Sequence, residues 1–85
     1  MPSHLPLAAL RPGQGGVIER VDADSPAGQR LLDLGFVPQT RIRVVRRAPL
    51  GDPILYDLRG TRLCLRRSEA AIIRVRPDAG DSAPA

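Results

Sequence analysis

Arg41-Ile42-Arg43-Val44-Val45-Arg46-Arg47 sets apolar residues between arginines. This is the period-two pattern of a strand with one dry face and one wet face. The chain then breaks at Pro49-Leu50-Gly51-Asp52-Pro53, a rigid turn. Alternation resumes in Ile54-Leu55-Tyr56-Asp57-Leu58, with Ile54, Tyr56 and Leu58 on one face. Arg59-Gly60 separates two strand patterns and predicts a tight hairpin turn. Thr61 to Arg67 directs Leu63 and Leu65 inward. Ser68-Glu69-Ala70-Ala71 fits one short turn, and Ile72-Ile73-Arg74-Val75 predicts a last strand.

Upstream of this run, Val17 to Ala23 reads as a strand with Val17, Val21 and Ala23 on one face and Ile18 opposite. Asp24-Ser25-Pro26 then opens a helix: Ser25 caps it, and Pro26 at the first helical position loses no needed N–H. Gly35 stops it in a left-handed conformation. The helix therefore runs from Pro26 to Leu34, with Leu31 and Leu34 toward the core. Gly28 inside it costs about 1 kcal/mol relative to alanine. At the start of the chain, Leu7 and Leu10 suit one helical turn, ended by Pro12 and the glycines that follow. Five to six short strands with one short helix in an early connection predict an all-β fold, a small closed barrel of SH3-like size. Its core is expected to hold Leu31, Leu34, Ile42, Val44, Leu63, Leu65 and Ile73. Residues 1–76 form the domain, and residues 77–85 are small, polar and turn-rich, a disordered tail.

Eighty-five residues make one small domain with a thin stability margin. A single cysteine excludes an internal disulfide and is consistent with a reducing compartment. All 13 basic residues are arginine, and residues 1–76 carry seven acids, a net charge of +6. No arginine run exceeds two residues and acids are interleaved, so the charge reads as composition rather than as a nucleic-acid surface. No signal peptide or apolar membrane span is visible, which gives a cytoplasmic protein without membrane insertion as the expectation.

No catalytic constellation assembles, and no enzyme is expected. His4 sits near a loose end, a poor scaffold for proton transfer. Cys64 alternates to the face opposite Leu63 and Leu65; without a histidine or second cysteine it reads as a space-filling residue. Gly13-x-Gly15-Gly16 lacks the Lys-Ser/Thr of a phosphate loop. No pair of residues has metal-ligand spacing, so no tightly bound cofactor is expected. An adventitious divalent ion such as zinc would use His4 and carboxylates, shared between molecules. What remains is a protein-binding surface. Phe36 follows the helix stop, and Leu50 tips a loop held by Pro49 and Pro53. Arg46 and Arg47 precede that loop, and Gly51 and Asp52 complete it.

Three segments carry a resemblance: Leu31-Leu32-Asp33-Leu34-Gly35-Phe36-Val37-Pro38, Arg46-Arg47-Ala48-Pro49-Leu50-Gly51-Asp52-Pro53, and Leu65-Arg66-Arg67-Ser68-Glu69-Ala70. With Leu7-x-x-Leu10-x-x-Gly13 and Ile73-x-Val75, they resemble the FeoA family, small cytoplasmic proteins of bacterial ferrous iron uptake. The resemblance spans residues 5–75. It implies an SH3-like barrel, as in the C-terminal domain of iron-dependent repressors. It also implies a role beside the membrane iron transporter FeoB, through contact with that protein's cytoplasmic GTP-binding part. Gln39 departs from the family, which usually has glycine there, so the turn must avoid positive φ or strain a non-glycine residue. The alternative is a metal-responsive regulatory domain, which normally works with a DNA-binding helix-turn-helix that this length leaves no room for. RNA binding through the arginines is a third reading, weakened by the scarcity of aromatics, and a weak homodimer is left open.

Overall fold

Ile42 and Val44 point inward from β3 (Arg41–Arg47) while Arg41 and Arg43 stay exposed, and the rest of the sheet grows from that ladder. The computed structural model describes residues 4–78. β3 pairs antiparallel with β4 (Ile54–Leu58), which pairs with β5 (Thr61–Leu65). On its other side β3 meets β2 (Gly15–Val21), then β6 (Ile73–Pro77), then the two-residue β1 (Leu5–Pro6). The result is a single six-stranded antiparallel sheet in the order β1-β6-β2-β3-β4-β5. Its two ends, β1 and β5, do not pair with each other, so the SH3-like sheet is open at that seam. A 3-10 turn at Leu7–Ala9 and the short α2 (Arg67–Ala70) complete the chain.

Two bulges set which side chains reach the core. β2 carries one extra residue, Glu19, against β6. A bulge shifts the alternation by one, so Ile18 and Val21 are both buried although they lie three apart. This corrects the expected inward face of Val17, Val21 and Ala23: Val17 is half-buried and Ala23 is exposed. The second bulge, at Val45, lies between Val44 and Arg46 on β3.

The helix α1 is Pro26–Asp33, with Ser25 as N-cap accepting a 3.0 Å bond from the Gly28 N–H. It closes in a Schellman motif. The Gly35 N–H donates to the Leu32 carbonyl, and the Phe36 N–H donates to the Leu31 carbonyl, each at 3.0 Å. Gly35 supplies the left-handed φ of +109°. This motif brings the side chain after the glycine back onto the last helical turn. Phe36 is accordingly buried beside Leu31, while Leu34 is 48% exposed. Leu34 is thus a correction to the expected core. Leu63 is only half-buried, packed against the core from the outermost strand.

Gln39 takes the left-handed conformation, φ +71°. Its N–H donates to the Ile18 carbonyl at 2.7 Å, and the Ile18 N–H donates to the Thr40 carbonyl at 2.9 Å. Those two bonds hold a non-glycine residue where glycine would fit without strain. At the far end, β6 runs through Pro77, and the Asp78 N–H donates to the Gly15 carbonyl at 3.0 Å. Asp78 also pairs with Arg41. β6 and its flanking bonds thus run two residues past residue 76, and the rest of the expected tail, residues 79–85, lies outside the described residues.

Candidate functional site

The loop from Ala48 to Pro53 is built from its own hydrogen bonds. The Ala48 N–H donates to the Pro53 carbonyl at 3.0 Å, closing the base. The Gly51 N–H donates to the Ala48 carbonyl at 2.7 Å, forming a β-turn with Pro49 in its second position. Gly51 has φ +91°, and the Asp52–Pro53 peptide is cis. Asp52 reaches across to α2, its carboxylate accepting from the Arg67 N–H at 2.8 Å. The loop is therefore tied at both ends and in its middle.

At its tip Leu50 is 96% exposed. The other large apolar residues at the surface, among the described residues, are half as exposed or less: Leu34, Val37 at 38% and Leu5 at 36%. Beside the loop, on the outer face of β4 and β5, lies a hollow of about 450 Å³ lined by Arg46 to Pro49, Pro53, Leu55 and Cys64. Leu55 and Cys64 face each other across the two strands. A pre-formed apolar hollow next to a stiff apolar tip loses little entropy on docking.

Two of the expected contact residues serve the fold instead. Phe36 is fully buried, because the Schellman motif turns it under the sheet. Arg47 donates from Nη2 to the carbonyls of Ala8 and Leu10, at 2.9 and 2.8 Å. Its guanidinium pins the N-terminal 3-10 turn to β3 and is committed there. Arg46 is exposed, as are Pro49 and Pro53, while Gly51 and Asp52 are half-buried. Under the loop, the Tyr56 hydroxyl is buried and makes no hydrogen bond among the described residues. Burial pushes its phenol up to about 12, against the pull of the Arg47 guanidinium and with a further push from the Asp52 carboxylate.

His4 lines a separate hollow with Glu19, Arg20 and Arg74. Glu19 is held by Arg76 at 2.5 Å. Two guanidinium groups repel a cation, and one imidazole with one committed carboxylate does not fill the four positions zinc takes. Among the described residues no group of three or more His, Cys, Asp or Glu comes together. Both aromatic side chains of the chain, Phe36 and Tyr56, are buried, so no aromatic surface is offered for base stacking. No helix among the described residues is long and apolar enough to cross a membrane.

The FeoA domain model matches residues 5–77. A Porphyromonas gingivalis protein named as a fusion of Fe(2+) transport protein A and the Fe(2+) transporter FeoB is 41% identical over 69 residues. The match covers 81% of this chain but only 8% of that protein. The solution structure of a FeoA protein from Chlorobium tepidum is 42% identical, with a TM-score of 0.79, covering 91% of this chain and 73% of that one. A crystal structure of FeoA from Stenotrophomonas maltophilia complexed with zinc, described as an SH3 domain protein, is 34% identical at a TM-score of 0.73; the match covers 91% and 93% of the two chains. A manganese-dependent transcriptional repressor shares the fold alone, at 23% identity and a TM-score of 0.81, over 92% of this chain and 43% of the repressor. With the family model spanning β1 through β6 and these relatives sharing both sequence and fold, the chain belongs to the FeoA family.

Proposed function

We propose that this chain is a cytoplasmic binding module of ferrous iron uptake, and that it docks on and modulates the GTP-binding part of a FeoB transporter. The observation that carries the reading is Leu50, 96% exposed at the tip of a loop braced by hydrogen bonds at its base and to α2. An apolar side chain held out this way is an anchor in search of a pocket. The fusion of the two proteins in the P. gingivalis relative supports the choice of partner. Arg46, Pro49 and Pro53 complete the contact around the hollow, and Arg46 steers acidic surface toward it.

In this reading iron is the cargo of the transporter and the domain keeps no resident metal. The likeness to the repressor is one of fold, and does not favour a metal-sensing role over a docking role. The test is calorimetric titration of the chain with the cytoplasmic part of the transporter, with and without a non-hydrolysable GTP analogue. Saturable one-to-one binding is expected; no heat and no co-elution under either condition would refute the partner.

A further inference from the structure

We propose that the free edge of β5 is a second docking element, which takes an extended segment of alternating acidic and apolar residues from a protein partner as an added strand. The inference rests on reading the chain as a protein-binding module, and it does not depend on which transporter domain supplies the segment.

The hairpin between β4 and β5 fixes which main-chain groups face outward. Arg59 and Gly60 both have positive φ, +54° and +91°, and Leu58 stands opposite Thr61. In such a two-residue hairpin the flanking pair is hydrogen-bonded, and pairing then alternates along the ladder. The N–H and C=O groups of Thr61, Leu63 and Leu65 therefore face β4. Those of Arg62 and Cys64 face away from the sheet. No strand lies beyond β5, and no partner for these outward groups occurs among the described residues. Arg62 and Cys64 are both exposed. The opposite end of the sheet is protected differently: β1 has two residues, and one of them is Pro6. β5 has neither device.

The side chains specify the guest. On the inner face Leu63 touches the core yet stays half-open, because nothing runs alongside it. An apolar side chain of an added strand would cover it. Residues 59–67 carry four arginines and no acid; the one carboxylate opposite them on β4, Asp57 facing Arg62, accepts from the Gly60 N–H at 2.8 Å. Arg59, Arg62, Arg66 and Arg67 form no ion pair among the described residues. Acidic side chains opposite Arg62 and Cys64 would meet that field. A second copy of this chain would bring four more arginines to the seam and be repelled. A single-stranded nucleic acid would find charge but no aromatic to stack on.

The test titrates the isotope-labelled chain with a short blocked peptide of alternating glutamate and valine. Amide exchange is expected to slow at Arg62 and Cys64. N-methylating the peptide on alternate residues, in the set that faces β5, should weaken binding about tenfold or more, since main-chain bonds are lost. The lysine–valine peptide should not bind. Protection elsewhere on the surface, binding indifferent to N-methylation of either set, or equal protection by oligouridylate would overturn the proposal. A Cys64→Pro variant, which removes one outward N–H and spares the β4 ladder, should lose the peptide while keeping the melting temperature within a few degrees. The N-methyl comparison stands if that variant does not fold. The transporter's GTP-binding part is titrated in parallel. If it fails on the unaltered chain while the peptide behaves as expected, the choice of transporter falls and the edge site stands. If it binds and the peptide fails, the edge site falls and the docking role stands.

Discussion

Gly28 lies so close to Asp22 that a Cβ built on it would sit 1.6 Å from the Asp22 carbonyl oxygen. Helix α1 is pressed onto the chain leaving β2, and only a residue without a side chain permits that approach. Helix propensity alone favours alanine at this position by about 1 kcal/mol. The clash outweighs it, so Gly28→Ala should destabilise the fold by roughly 1–3 kcal/mol or more. Urea denaturation checks this; a variant more stable than the parent would mean α1 sits farther from Asp22.

Phe36 and Leu50 should behave as opposites in stability. Phe36→Ala empties a buried site against Leu31 and should cost roughly 3–5 kcal/mol. Leu50→Ala removes a side chain with almost no contacts and should change stability by less than about 0.5 kcal/mol. Melting curves of the two variants side by side decide this, and similar losses would refute the assignment of Phe36 to the core and Leu50 to the surface.

Arg47 and Arg46 are neighbours in sequence with different tasks. Arg47→Ala strips two charge-assisted bonds from the carbonyls of Ala8 and Leu10 and should cost roughly 1.5–3 kcal/mol. Arg46→Ala should leave stability within about 0.5 kcal/mol. Amide exchange near Leu7–Ala9 should quicken in the first variant alone.

Alkaline pH isolates Tyr56, because the chain has no lysine and one tyrosine. In the folded protein the phenol keeps its proton up to about 12, whereas in the unfolded chain it loses it near the ordinary value of 10. Between those values the unfolded state binds fewer protons, so stability falls as pH rises. The contribution is fully present below pH 10 and is lost through pH 12. Tyr56→Phe should flatten this slope, and at neutral pH it should stay within about 1 kcal/mol of the parent, since the hydroxyl has no partner to lose. An unchanged alkaline slope would place the cause elsewhere.

Much of this architecture is readable in the residues, and the misreadings have physical causes. The alternation in residues 41–47 and 54–58 gave the right strands because one face of each is dry. Ser25, Pro26 and Gly35 marked the helix ends to within one residue. The errors follow from interactions that strand period and helix period do not encode. A bulge at Glu19 moved Val21 and Ile18 to a common face. Strand and helix period leave Phe36 at the surface, although a glycine stop at Gly35 followed by an aromatic is itself the signature of a Schellman closure onto Leu31. Arg47 reads as a contact residue from sequence because its acceptors, Ala8 and Leu10, lie far away in the chain. Leu50 was legible, since nothing near it in sequence offered a core to join. Gly28 was legible only as a weakness, because its partner is a backbone oxygen.

The central claim is that the loop bearing Leu50 is the anchor for the transporter's GTP-binding part. It is tested most directly by titrating that part with the parent chain and with Leu50→Ala, each shown by its melting curve to be folded. The account predicts equal melting and a binding loss of roughly 1–3 kcal/mol, a rise in Kd of about five- to 150-fold. Equal affinity of the two folded proteins for the transporter would contradict it and move the contact surface away from this loop.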